Sequence, residues 1–361
     1  IKVLSKPGIL RGSSVLDLFL KKQQITMSME HAFMFTGYLE DVVLIKKKYF
    51  HTKENLFLWK GLSYHNYMIY WPGIDDTVPG TSTRLAKENH PISLNVEQGG
   101  EITEDCIFIG GDSIVEVNWA HWFFEHILKI KALMLSGVDL SMPIVISERI
   151  PDRFLQWGEK LVQKELNWKK INVDLATNFK RVFVSSASFY RKENMMPAVW
   201  CEGFSYMKSL FQTSINFRKN NLSTKSEVIF ISRETAKWRK AINENNLFDI
   251  AQKELGAIKV NMLDYDLEDQ VDLIHNACII ILFGGADGPM SLFCNPRATV
   301  LEMIAPGHQA INCALAFCAI NQGNYIRLDA KETVGPLLGP THLDKNYVVE
   351  EKLYSTIIRN L

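Results

Sequence analysis

The chain has 361 residues, of which 47% are apolar and 22% are charged, and this balance is typical of a globular protein with a large core rather than of a disordered chain. The 40 basic and 40 acidic residues cancel to a formal net charge of zero, which argues against nucleic acid or an anionic surface attracted by an overall field. The length predicts two domains, with a cleft between them as the place for a ligand.

The first half of the chain is predicted to contain strands, followed by a parallel sheet with helices. Short apolar runs separated by turns indicate strands and loops in the first hundred residues. From residue 118 to 135 apolar side chains recur every three or four positions, which predicts a helix that Ser136-Gly137 ends. The next predicted elements are a strand, a helix and a strand, at residues 143–147, 154–166 and 181–185. This succession favours parallel pairing of the strands.

The second half has the clearer alternation of strands and helices. Residues 216–226 are polar and are predicted to be an interdomain linker. The elements predicted after it are a strand at 227–231, a helix at 246–255, a strand at 257–263, a helix at 268–277, and strands at 278–283 and 299–304. Such alternation predicts a doubly wound α/β domain that binds ligands beyond the carboxyl ends of its strands.

These patterns predict three structural parts joined by the linker. We expect an N-terminal domain over residues 1–215 and a C-terminal ligand-binding domain over residues 227–345. We expect the last segment, residues 346–361, to form a helix that packs back on the N-terminal domain. The fold class is therefore predicted to be α/β.

A basic loop directly follows the first predicted strand of the C-terminal domain. It contains Arg233 and Arg239, and it lies where a doubly wound sheet binds its ligand. The planar guanidinium group pairs bidentately with phosphate oxygens, so both arginines are candidates for binding a diphosphate. An ordinary solvated basic loop would have the same local sequence.

A glycine-rich turn follows the strand at 278–283. It reads Gly284-Gly285-Ala286-Asp287, with Pro289 placed to begin a helix. Glycines let backbone amides approach a phosphate, and a helix N-terminus adds partial positive charge. A tight turn in which Asp287 caps the helix is the alternative. The turn is neither a P-loop nor a Gly-x-Gly-x-x-Gly fingerprint, which argues against a dinucleotide-dependent oxidoreductase.

A polar stripe lies on the predicted helix that starts at residue 118. Asn118, His121 and Glu125 fall along one face, and Trp122 lies next to them in an apolar segment. A histidine and a carboxylate one turn apart can act as a general base and the group that orients it. A hydrogen-bonded cluster at a domain interface explains the same stripe without catalysis.

Metal-binding and disulfide patterns are absent from the sequence. Asp264-Tyr265-Asp266 resembles an Asp-x-Asp metal motif but precedes a predicted helix, so we expect a solvated turn there and no metal or other cofactor. The six cysteines are scattered without Cys-x-x-Cys spacing and are predicted to be buried free thiols. No apolar run of about 18 residues is present.

Taken in order, these motifs resemble those of glycosyltransferase family 61. The resemblance covers residues 115–305. It is carried by Asn118-x-x-His121-Trp122-x-x-Glu125, Ile231-Ser232-Arg233 with Arg239 and Asn243-Glu244, Glu268-Asp269-Gln270 with Asn276-Ala277, Gly285-Ala286, Phe293, Pro296 and Val300-Leu301-Glu302. It implies a GT-B fold, with two Rossmann-like domains facing a central cleft. It also implies inverting, metal-independent transfer from a nucleotide sugar.

The resemblance assigns roles to single positions of this chain. The donor-binding residues would be Arg233, Arg239, Gly284, Gly285, Ala286, Asp287 and Glu302. The catalytic base would be Glu125 or His121, while Asn118 and Trp122 would line the cleft on the acceptor side. Family members usually carry His and Asn where this chain has Gly284 and Met290. A catalytically inactive subunit that binds a nucleotide or glycan is therefore the alternative to an enzyme.

The expected partners follow from the same resemblance. The donor would be a nucleotide sugar, UDP-linked by preference, and the acceptor a glycan or lipid-linked glycan of bacterial capsule or lipopolysaccharide synthesis. No nucleic acid partner is expected, and the sequence does not indicate an oligomeric state. Since the cysteines show no disulfide pattern, we expect a cytoplasmic enzyme, associated with the inner face of the membrane. In a eukaryote the lumen of the secretory pathway would be the alternative.

Overall fold

The computed structural model of the protein describes part of the chain, and the following statements concern that part. The described residues are 2–3, 8–13, 24–29, 35–45, 49–51, 57–59, 69–70, 97–109, 119, 122, 126–185, 228–237, 239–285, 287–306, 314, 318, 321–338 and 345–361. The chain divides into two compact units. Unit 1 comprises Ile1–Pro7, Glu30–Arg191 and Pro197–Trp200, and unit 2 comprises Gly8–Met29, Lys192–Met196 and Cys201–Leu361.

The strands and helices of both units are numbered in chain order. The strands are β1 (Lys2–Val3), β2 (Gly8–Ser13), β3 (Gln24–Met29), β4 (Phe35–Ile45), β5 (Tyr49–His51), β6 (Phe57–Trp59), β7 (Ile69–Tyr70), β8 (Gln98–Phe108), β9 (Ile144–Ser147), β10 (Trp168–Ile171), β11 (Ala176–Ser185), β12 (Val228–Ile231), β13 (Ile258–Val260), β14 (Ile279–Phe283), β15 (Thr299–Ile304), β16 (Asn324–Asp329), β17 (Glu332–Val334) and β18 (Asn346–Val348). The α-helices are α1 (Ile127–Leu135), α2 (Asp152–Val162), α3 (Glu244–Leu255), α4 (Leu267–Asn276) and α5 (Glu351–Ile358), with short 3₁₀-helices at Met262–Asp264 and Gly288–Phe293.

Unit 1 is built on one mixed sheet with the strand order β10-β9-β8-β11-β4-β5-β6-β7, and β1 pairs with β4. The strands β10, β9, β8 and β11 run parallel to one another, as the succession of predicted elements indicated. From β11 to β7 the pairing is antiparallel. The strand β10 was not predicted, because its two lysines break the apolar pattern and only part of each side chain is buried.

Unit 2 contains a five-stranded sheet of order β13-β12-β14-β15-β16 in which each pair is parallel. The four strands predicted for this domain all form, with ends that differ by a few residues from the predicted ones. Val228–Ile231 is buried at every position, as expected of a parallel strand covered on both faces. The protein is therefore of the α/β class. The strand that comes first in the sequence of this sheet, β12, lies between β13 and β14.

The C-terminal helix α5 is part of the core of unit 2. Tyr354, Ile357 and Ile358 are buried, and they pack in one apolar cluster with Leu247 and Ala251 of α3. Residues spaced by three or four positions form one stripe on each helix, and each stripe is buried against the other. The helix α5 thus packs within unit 2, and the predicted packing of residues 346–361 on the N-terminal domain stays a prediction.

The remaining predictions about organisation concern residues outside this description. The predicted linker, residues 216–226, lies outside the described residues, and the domain boundaries stay a prediction. In the part of the chain that the structure describes, no helix is both long enough and apolar enough to cross a bilayer.

Candidate functional site

The strand order of unit 2 reverses between β12 and β14, and the candidate site lies at the carboxyl ends of these two strands. The backbone after β12 continues to pair toward β13, since Ser232 N donates to the Val260 carbonyl at 2.8 Å. The backbone after β14 pairs toward β15, since Gly284 N donates to the Met303 carbonyl at 2.7 Å. The backbone segments that follow β12 and β14 thus diverge beyond the sheet. Such a reversal point is the usual ligand site of doubly wound sheets.

Glu244 fixes the turn that follows β12. Its carboxylate lies in the first turn of α3 and accepts hydrogen bonds from Ser232 Oγ at 2.6 Å and from Arg233 N at 3.1 Å. The side chain is almost fully buried, and Lys259 Nζ lies 3.7 Å from Oε1. A carboxylate at a helix N-terminus is favoured by the helix dipole. We infer that Glu244 holds the start of the basic loop.

Arg233 lies across the glycine-rich turn. Its residue is only 8% exposed, and Nη1 is 3.5 Å from Asp287 Oδ2. A Cβ atom added to Gly285 would lie 2.2 Å from Arg233 Nη1. A side chain at position 285 would therefore force the guanidinium group of Arg233 to move. The predicted reason for the glycine, close approach of backbone amides to a phosphate, remains a prediction.

Asp287 pairs with Arg233 rather than capping the following helix. It stands at the N-cap position of the 3₁₀-helix Gly288–Phe293, but its side chain makes no capping hydrogen bond. Burial raises the pKa of Asp287, and the charge of Arg233 opposes this rise. The carboxyl group of Asp287 therefore lies directly beside the arginine of the site.

The second arginine, Arg239, is held by the C-terminal segment. Its φ angle of 58° is in the left-handed region, which is unfavourable for a residue with a side chain. The next residues are fixed by hydrogen bonds from Lys240 N to Asn346 Oδ1 at 2.9 Å and from Tyr347 N to the Lys240 carbonyl at 3.0 Å. Ile242 N donates in turn to the Tyr347 carbonyl at 2.9 Å. These contacts hold the unfavourable backbone at Arg239.

Tyr347 is buried close to the charged residues of the site. Its ring is fully buried, and burial raises the pKa of its hydroxyl. The charges of Arg233 and Arg239 act to lower this pKa, whereas those of Glu302 and Glu244 act to raise it. All four side chains therefore lie near the phenol. Sequence analysis missed Tyr347 because its neighbours come from distant parts of the chain.

Glu302 is a buried carboxylate on β15. It accepts a hydrogen bond at 2.6 Å from Tyr325 Oη on the adjacent strand β16. Burial raises the pKa of Glu302 to about 7, against the opposing effects of the Tyr325 hydrogen bond and the Arg327 charge. A Cβ atom on Gly284 would lie 3.7 Å from Glu302 Oε1. The structure thus places Glu302 within β15 and beside the turn, and its role in donor binding stays a prediction.

The predicted catalytic and acceptor residues of unit 1 are described only in part. Asn118, His121 and Glu125 lie outside the described residues, as does Ala286 of unit 2, and their roles stay predictions. Trp122 is fully buried.

The surroundings of Trp122 correct its predicted role. Its ring packs at 5.4 Å from the His126 ring, 6.0 Å from Trp168 and 6.3 Å from Phe154, measured between centroids. Because the ring is enclosed by other aromatic rings, Trp122 stabilises the core of unit 1 and does not line a cleft.

The Asp-x-Asp sequence forms a capping turn. Asp266 caps α4 by accepting a hydrogen bond from Asp269 N at 2.9 Å, and Asp264 accepts one from Asn261 Nδ2 at 3.1 Å. Throughout the described residues, no group of three His, Cys, Asp or Glu side chains is arranged to hold a metal ion.

The described cysteines are free thiols. Cys106, Cys294 and Cys318 are buried as predicted, but Cys278 is exposed at the start of β14, which contradicts the prediction for that residue. Burial raises the pKa of Cys106 to about 12, so this thiol stays protonated at neutral pH.

Comparison with known proteins agrees with the motifs. A model of the family described as Glycosyltransferase 61 matches residues 119–301, about half of the chain. The matched part contains Arg233, Arg239, Glu244 and Gly285, and it ends directly before Glu302. None of the curated proteins compared with this sequence matches it. The chain belongs to glycosyltransferase family 61 and is a glycosyltransferase, an enzyme that moves a sugar from a nucleotide-sugar donor to a glycan acceptor.

Proposed function

We propose that the enzyme binds the diphosphate of its donor at the reversal point of the unit 2 sheet and transfers the sugar with inversion and without a metal ion. The observation that carries this proposal is the placement of Arg233. Its guanidinium group is held over Gly285 at the reversal point of the sheet, and its backbone is held by Glu244. A preorganised cation at this position stabilises a leaving diphosphate without reorganisation during the reaction.

Arg239 supplies the second positive charge. The two arginines act on the same buried phenol, so their charges meet in one region of the site. In the proposed reaction they bind the phosphate oxygens and stabilise the negative charge that develops as the sugar–phosphate bond breaks. This is the stabilisation that a divalent cation supplies in metal-dependent transferases.

The acceptor hydroxyl attacks the anomeric carbon in line with the leaving diphosphate. A general base must take the hydroxyl proton during this attack. We propose Glu125 or His121 for this role and Asn118 for contact with the acceptor, on the resemblance of their motif to that of the family. The proposal includes a GT-B arrangement, because unit 2 contains a parallel sheet and the mixed sheet of unit 1 contains four parallel strands.

The biological setting is proposed on the same resemblance. We propose a UDP-linked donor, a glycan or lipid-linked acceptor, and a role in bacterial capsule or lipopolysaccharide synthesis at the cytoplasmic face of the membrane. The free thiols of the described cysteines fit a reducing compartment. The ion pair of Arg233 with Asp287 favours one alternative, an inactive subunit that binds a nucleotide.

Nucleotide binding and donor hydrolysis test this proposal on the full chain. We expect one nucleotide sugar among UDP-, GDP-, CMP- and dTDP-linked donors to be hydrolysed slowly in the presence of EDTA. Arg233→Ala should abolish binding and hydrolysis. Arg359→Ala is the matched control, since Arg359 is an exposed arginine of the same unit that pairs with Glu254.

The possible results separate the enzyme from the inactive subunit. Glu125→Gln should keep nucleotide binding and lose hydrolysis, because the base acts on the attacking hydroxyl and not on the diphosphate. Nucleotide binding without turnover of any donor would support the inactive subunit. Failure to bind any nucleotide, or binding that survives Arg233→Ala, would reject the proposed site.

A further inference from the structure

Asp287 places a negative charge in a site that must receive a negatively charged ligand. We propose that Asp287 is an internal counter-anion: its carboxylate pairs with Arg233 in the ligand-free enzyme, weakens binding of the nucleoside diphosphate, and speeds release of that product. This inference rests on the proposed function, since it concerns the same diphosphate site.

The ion pair is shielded from water. The side chains of Arg233 and Asp287 are only 9% and 21% exposed, and Nη1 lies 3.5 Å from Oδ2. Charges at such a distance interact strongly when little water screens them. A diphosphate that binds Arg233 must therefore compete with a carboxylate already in contact with it.

Asp287 is not needed to position Arg233. The backbone of Arg233 is held by Glu244, and the guanidinium group lies directly against the backbone of Gly285. The Asp287 side chain makes no capping hydrogen bond to the helix that follows it. In the described part of the site, its carboxylate contacts the side chain of Arg233.

The contact between Arg233 and Asp287 is long, so a phosphate can replace the carboxylate. Arginine binds phosphate best through two parallel hydrogen bonds of about 2.8 Å, whereas the single contact with Asp287 measures 3.5 Å. The diphosphate can replace the carboxylate, but the carboxylate remains nearby and repels it. When the product leaves, Asp287 restores the pair with Arg233. The counter-anion thus lowers the affinity of Arg233 for the diphosphate product without blocking its binding.

Binding of nucleoside diphosphates to Asp287→Asn tests the inference. The probes are UDP, GDP, CDP, ADP and inorganic pyrophosphate, measured by calorimetry with the full chain at constant ionic strength. We expect Asp287→Asn to bind the preferred diphosphate about tenfold more tightly, which corresponds to about 1.4 kcal/mol. Product inhibition should strengthen by a similar factor. Asp249→Asn, in the exposed face of α3, changes the net charge equally and should leave the affinity unchanged.

The outcomes distinguish this inference from the proposed function. If the wild type binds a diphosphate, Arg233→Ala loses it, and Asp287→Asn binds no more tightly, the counter-anion is rejected while the site stands. If neither the wild type nor Asp287→Asn binds any probe, both proposals fall. Asp287→Ser is the second variant. Unfolding of both Asp287 variants would also overturn the inference, because it would show that the carboxylate is needed to build the site.

Discussion

Replacing Gly285 with alanine introduces a methyl group where Arg233 already lies. The new Cβ would be 2.2 Å from Nη1 and 3.0 Å from Cζ of Arg233. Non-bonded heavy atoms require about 3.5 Å or more, so the guanidinium group must move by roughly 1 Å. The end of an arginine side chain can move without unfolding the protein. We expect the free energy of unfolding to fall by only about 1 kcal/mol.

The effect on catalysis should be much larger than the effect on stability. A displacement of about 1 Å in a group that positions the reacting phosphate costs about a hundredfold in rate, or about 2.7 kcal/mol of transition-state stabilisation. The assay is kcat/KM for the preferred nucleotide sugar, with calorimetric binding of its diphosphate and thermal unfolding measured in parallel. We expect kcat/KM and affinity to fall while the melting temperature changes by a few degrees.

The neighbouring glycine provides the matched control. A Cβ on Gly284 would meet its nearest atoms at 3.6 and 3.7 Å, which is ordinary van der Waals contact. Gly284→Ala should therefore keep most of the activity. Equal losses in the two variants, or full activity in Gly285→Ala, would show that the guanidinium group does not act from the position over Gly285.

Three further substitutions test the supports of the site. Glu244→Gln should weaken diphosphate binding about tenfold and cost about 1–3 kcal/mol of stability, because Arg233 N and Ser232 Oγ lose a charged acceptor. Glu254→Gln on the same helix is the exposed control. Equal effects of the two substitutions would refute the role of Glu244. In the described chain the Oη atoms of Tyr347 and Tyr354 are both buried without a hydrogen-bond partner, so neither phenylalanine variant should lower the melting temperature. Diphosphate affinity should fall only in Tyr347→Phe, since it alone loses a hydroxyl among the charged residues, and an unchanged affinity would exclude this hydroxyl from the site. Glu302 has a folded pKa of about 7 against 4.5 in its ordinary state, so the folded protein holds this proton more tightly and its stability should decrease as the pH rises from about 4.5 to about 7. Chemical unfolding at pH 5 and 8 should show this decrease in the wild type, by up to about 3 kcal/mol, and a smaller one in Glu302→Gln.

The elements of unit 2 were the part of the fold that the sequence predicted best. The apolar runs at Val228–Ile231 and Ile279–Phe283 are bounded by polar residues and helices of regular period, and each forms a strand of the parallel sheet. Such signals are local, because burial on both faces requires apolar residues at every position of the strand. The strand β10 lacked this signal, since its lysines lie at an edge that is only partly buried.

The site was predicted in its components but not in its contacts. Motif order indicated Arg233, Gly285 and Asp287 as neighbours of a donor phosphate. The structure adds that the guanidinium group of Arg233 lies against the backbone of Gly285 and that Asp287 pairs with this guanidinium group. Trp122 was assigned to a cleft because its motif lies beside polar residues, but burial among aromatic rings is invisible in a single helical stripe.

The sequence by itself determined the alternation of strands and helices in unit 2 and the family to which the chain belongs, since both depend on residue types at short spacing. Only the tertiary structure decided which strands are neighbours and which distant residues complete the site. The order that places β12 between β13 and β14 creates the reversal point at which Arg233 lies. Tyr347 reaches the same place from more than a hundred residues away, through hydrogen bonds with Lys240 and Ile242. Such contacts arise from packing and backbone pairing between segments far apart in the chain, which no local pattern of residues encodes.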